Sequence, residues 1–120
     1  MLQKLDQSSG AVVGYKVLGK VTAEDYQELE PAIQLLVDKY DSVYLLLDLQ
    51  EFAGEEVKAW LPDLKFGHRF HDKIEKMAIV GDKRWQKWLA ALASPWYAHD
   101  TRFFHPDETD KAWAWLRQED

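Results

Sequence analysis

Residues 2–5 and 12–18 hold short apolar runs separated by Asp6, Gln7, Ser8, Ser9 and Gly10. So short a turn-forming connection requires antiparallel pairing, and the pattern predicts a hairpin. Thr22 then stands where an N-cap belongs. Asp25 falls near the positive end of a helix whose apolar stripe carries Tyr26, Leu29, Ile33, Leu36, Val37 and Tyr40. Pro31 interrupts that helix, and losing one amide donor predicts a kink or a division in two.

Residues 43–49 are almost continuously apolar, as expected of a central strand covered on both faces in a parallel sheet. Residues 50–55 read as a loop. A second helical stretch follows, with Val57, Trp60, Leu61, Leu64, His68 and His71 on one stripe and Pro62 and Gly67 interrupting it. Residues 77–82 read as a strand ending in a turn whose Asp82 caps a helix at 83–93, which Ser94 and Pro95 stop. Residues 101–104 form a last short strand. Pro106, Asp107 and Glu108 open a final helix with Ala112, Trp115 and Leu116 on its inner face. The order is ββαβαβαβα. Strands alternating with helices imply right-handed parallel crossovers, so the expected architecture is an α/β fold with a mostly parallel sheet and an antiparallel N-terminal hairpin strand. A chain of 120 residues with 47% hydrophobic content suits a single domain spanning 1–120.

Composition narrows the chemistry. No apolar run approaches the roughly 18 residues of a membrane span. The first residues turn polar at once, unlike a secretory signal, so a cytoplasmic location is expected. Cysteine is absent, which excludes disulfides, thiolate nucleophiles and cysteine-bearing zinc sites. A net charge of -6 gives nucleic-acid backbones no electrostatic reason to bind. His68 and His71 share a helix face, and His99 and His105 come later. Zinc needs three or four ligands with supporting partners, however, so neither metal nor cofactor is expected. Asp48 and Asp82 fall at the carboxyl ends of parallel strands, where open α/β sheets bind ligands. Each is also placed to cap the loop or helix after it. No activated nucleophile accompanies them, so the protein is expected not to be an enzyme.

The informative feature is the presence of six tryptophans. Trp85, Trp88, Leu89 and Leu92 recur at the spacing of one helical stripe, while Lys83, Arg84 and Lys87 lie on the other side. Tryptophan on one face and only cations among the charges is the composition of an interfacial membrane helix. The plainer reading packs that stripe on the sheet. Trp96 and Tyr97 follow Pro95 in a loop, where burial is harder to arrange. With Trp88 and Leu92 they suit a lid or an edge among lipid headgroups, and a homodimer interface would use the same residues. The stretch bearing Trp60 and Leu64 carries Phe66 and Phe70 on its opposite side. A cavity lined by Phe52, Val57, Trp60, Leu64, Trp85 and Leu89 would take an apolar ligand. The alternative is that these aromatics fill a core.

Trp60 with Asp63 and Phe66, residues 77–82 followed by Trp85, Arg102-Phe103-Phe104, and Ala112 with Trp115-Leu116 together resemble the bacterial SpoIIAA-like family. That family has the STAS fold and is similar in shape to the lipid-carrying CRAL-TRIO domains; the resemblance spans essentially the whole chain. In the sporulation regulators of that fold a kinase phosphorylates a serine in an Asp-Ser-Ser-Gly stretch where the second helix begins. The corresponding residues here, 48–58, contain no serine or threonine, and the resemblance therefore implies no such switch. Glu55 and Glu56 nearby suit a helix N-terminus. The resemblance implies a module that binds a partner or a nonpolar ligand, with no catalytic residue to carry over. The expectation is a carrier or sensor of a nonpolar, lipid-like molecule, peripheral at the inner membrane; the alternative is a homodimeric regulatory domain.

Overall fold

The computed structural model describes residues 2–55, 72–81 and 100–118, apart from the side chains of residues 21 and 52–55. The helices expected at 57–71 and 83–93 lie outside the described residues. Five strands form one sheet in the order β1-β2-β3-β4-β5. They are β1 (Leu2–Lys4), β2 (Val12–Val21), β3 (Val43–Glu55), β4 (Ile74–Val80) and β5 (Asp100–Phe104). The first pair is antiparallel and the other three are parallel, as the alternation of elements predicts. Helix α1 (Ala23–Tyr40) links β2 to β3, and a short 3-10 turn (Pro106–Glu108) leads into helix α2 (Thr109–Arg117).

Successive side chains of a strand point to opposite faces, so the apolar run of β3 requires cover on both sides. On one face Leu29, Ile33 and Val37 of α1 join Val13, Tyr15 and Val17 of β2, Val43, Leu45 and Leu49 of β3, and Met77 and Ile79 of β4. On the other face Ala112, Trp113, Trp115 and Leu116 of α2 join Val12, Leu46, Ala78 and Val80. The sheet is thus the middle layer between two helices.

Four details differ from the sequence-based expectation. Pro31 lies well inside α1 but does not divide it; the helix runs unbroken from Ala23 to Tyr40. Leu29 and Ile33, buried on either side of the proline, anchor both halves to the same face. Residues 50–55 are strand, not loop. β2 is long enough to pair with them, placing Leu18 beside Glu51 and Val21 beside Glu55. The strand expected at 77–82 begins at Ile74 and ends at Val80. Glu75 and Lys76 conceal its start, yet Lys76 is only 8% exposed. Its ammonium donates to the carbonyls of Trp115 (3.1 Å) and Gln118 (3.3 Å) at the carboxyl end of α2, where a cation meets the negative end of the helix dipole. Finally, Trp113 joins the inner face of α2 at 5% exposure. Its indole nitrogen is buried without a hydrogen-bond partner among the described residues.

Trp113 fits because β2 carries glycine where the ring crosses it. A Cβ on Gly14 would lie 2.8 Å from Cζ2 of Trp113 and closer still to Cη2. Gly14→Ala is expected to destabilise the protein by about 1–3 kcal/mol, the usual cost of overpacking, despite alanine's better strand propensity. A lowered urea midpoint with unchanged slope is the expected readout.

The start of α1 is a reciprocal cap. Asp25 N–H donates to Thr22 Oγ1 (3.3 Å) and Thr22 N–H donates to Asp25 Oδ2 (2.9 Å). Burial pushes the Asp25 carboxyl up, but the backbone hydrogen bond from Thr22 and the other contacts favouring the charged form outweigh it and hold the pKa below its ordinary value. A carboxyl depressed in the folded state adds stability above its unfolded pKa of about 4 and loses it as pH falls through the folded value. Asp25→Ala should therefore cost about 1 kcal/mol at neutral pH. The gap between variant and wild type should close as pH falls below about 4 in urea titrations.

Candidate functional site

β3 continues seven residues beyond Asp48, the last of its residues to pair with β4, while it stays paired to β2. The two strands form a ribbon that runs past the carboxyl end of β4. Open parallel sheets take their ligands at this end.

Two irregularities shape the ribbon. Lys16 pairs with Asp48 but Leu18 pairs with Glu51; Gly19 pairs with Phe52 but Lys20 pairs with Gly54. β3 gains one residue over β2 at each step, which is the definition of a bulge. A bulge breaks the local ladder, and at the first one the Gln50 N–H donates to Asp48 Oδ1 at 3.0 Å. The Gln50 side-chain amide donates to both carboxylate oxygens of Asp48, at 3.1 and 3.2 Å. Asp48 is thereby committed to its own strand. Lys16 reaches Glu51 at 2.7 Å. The hydrogen bond and charge of Glu51 raise the lysine's pKa against a smaller opposing effect of desolvation, with Asp48 adding to the rise. Cation and carboxylates neutralise one another here, which suits a locally rigid strand end rather than a poised acid or base.

At the neighbouring strand ends, Gly81 N–H donates to the Phe104 carbonyl at 3.1 Å, tying the exit of β4 to the end of β5. Phe103 meets His105 edge to face, with centroids 5.6 Å apart. No group of three or more histidines and carboxylates able to hold a metal exists among the described residues.

Of the residues singled out from the sequence, Phe52 lies in β3 opposite Gly19, and its side chain is outside the described set. Val57, Trp60, Leu64, His68 and His71 lie outside the described residues. So do Asp82, Lys83, Arg84, Trp85, Lys87, Trp88, Leu89, Leu92, Trp96, Tyr97 and His99. The described strands nevertheless show where these segments attach. Residues 56–73 join β3 to β4 and residues 81–99 join β4 to β5, so both connect neighbouring parallel strands.

Those strands offer an apolar floor. On the α1 side the register aligns Val13, Leu45, Met77 and Thr101 in one row, and Tyr15, Leu47, Ile79 and Phe103 in the next. Sequence reasoning missed Thr101, whose hydroxyl is buried with no hydrogen-bond partner among the described residues. The available signal was a hydroxyl two residues from Phe103, on the inward parity of a strand. It also missed the bulge at residues 48–51, since polar residues after an apolar run read equally well as a loop.

A family model described as SpoIIAA-like matches residues 12–117. Five solved chains match the structure. One is an uncharacterized protein of the DUF3478 family with a SpoIIAA-like fold from Shewanella loihica, 24% identical, with a TM-score of 0.76 over 97% of this chain and 92% of that chain. At that identity the likeness establishes the fold. No curated protein matches the sequence.

If Asp48 serves the bulge, Asp48→Asn, which retains an acceptor oxygen, should leave stability nearly unchanged. Asp48→Ala should cost about 1 kcal/mol, measured by urea denaturation. Equal losses in the two variants would instead assign the role to the negative charge.

Proposed function

The chain belongs to the SpoIIAA-like family, and on that footing we propose that it is a non-enzymatic binding module, a carrier or sensor of a nonpolar, lipid-like ligand. The observation that carries this reading is the apolar floor of β3, β4 and β5 on the α1 side, whose strands are joined by two segments that each carry three tryptophan or phenylalanine residues. In this reading Phe52, Val57, Trp60, Leu64, Trp85 and Leu89 line the site. Trp88, Leu92, Trp96 and Tyr97, with Lys83, Arg84 and Lys87, meet an anionic membrane surface.

The chemistry at the ribbon supports a binding role over a catalytic one. Asp48 is held by Gln50, and Lys16 by Glu51, without an activated nucleophile beside them among the described residues. Residues 48–58 carry no serine or threonine that a kinase could modify. Among the described residues no helix is long and apolar enough to cross a membrane. Contact with lipid would thus be peripheral for this part of the chain.

Co-sedimentation with anionic vesicles tests the membrane part. The wild type is expected to bind and Trp88→Ala with Trp96→Ala to lose binding; a wild type that stays in the supernatant, or an unimpaired double variant, would refute it. Sedimentation equilibrium separates the competing homodimer. A dimer that Trp88→Ala dissociates, without lipid binding in either form, favours a regulatory domain that closes the same aromatics on a second copy.

A further inference from the structure

We draw no further inference here: the strongest candidate, the exposed side-chain cluster where Arg117 at the end of α2 donates to Ser9 Oγ and the Gln7 carbonyl in the first turn of the chain, serves as a clasp between helix and turn, and nothing in the structure shows a ligand or partner at it.

Discussion

β3 and β4 have no face to spare for water. Leu45 and Leu46, neighbours in sequence and opposite in direction, are both buried, and so are Ala78 and Ile79. A strand in that position cannot be stable until both of its faces are covered, and the rest of the architecture follows from that requirement. α1 supplies one cover by crossing from β2 to its parallel neighbour β3. α2 supplies the other from the end of the chain. The short hairpin strand β1 completes the pairing of the edge of β2. The capping box at Thr22 and Asp25 secures the start of α1, and the Asp41 N–H closes its last turn on the Val37 carbonyl.

The two covers are attached differently. α1 docks by an aliphatic stripe and has a link to the sheet at both ends. α2, linked through the backbone to a strand only at its start among the described residues, uses shape and charge. Trp113 drops onto the gap left by Gly14, Lys76 reaches from β4 to the carbonyls at the helix end, and guanidinium groups lie over both indoles. Arg102 sits 4.8 Å from the centre of Trp115, and Arg117 sits 5.1 Å from that of Trp113. Cations over tryptophan faces shield the rings from water without requiring more apolar surface. Arg117 also donates to the Gln7 carbonyl and to Ser9 Oγ, fastening the end of α2 to the first turn of the chain.

Much of this was legible from residue pattern because patterns report burial. The two-sided apolar run at residues 43–49 announced a central strand, the stripe from Tyr26 to Val37 announced α1, and Thr22 with Asp25 marked its start. The failures share a cause, which is that local preference was outweighed by a distant partner. Pro31 is a helix breaker in isolation but is bracketed by Leu29 and Ile33, both held by the sheet. Gln50 and Glu51 look like loop residues, yet β2 is there to pair with them. Lys76 looks like a surface residue, but the helix end it neutralises is separated from it by about forty positions. The candidate site was legible only as composition. Its aromatic segments are recognisable in the sequence, whereas the apolar rows across β2 to β5 depend on cross-strand register, and one-dimensional spacing does not carry that information.

The bulge between Asp48 and Glu51 changes how β3 is read against its neighbour. A strand assigns its residues to two faces by simple parity, so one inserted residue exchanges the assignment for everything after it. With two such insertions, β3 reverses its parity relative to β2 and then restores it before Glu55. Each irregularity absorbs the extra residue, and the pairs beyond it, Leu18 with Glu51 and Val21 with Glu55, stay matched across the two strands. The carboxylate of Asp48 accepts a hydrogen bond from the Gln50 amide at the first of these irregularities. The pairing of β2 with β3 therefore fixes which face each residue at the end of the ribbon occupies.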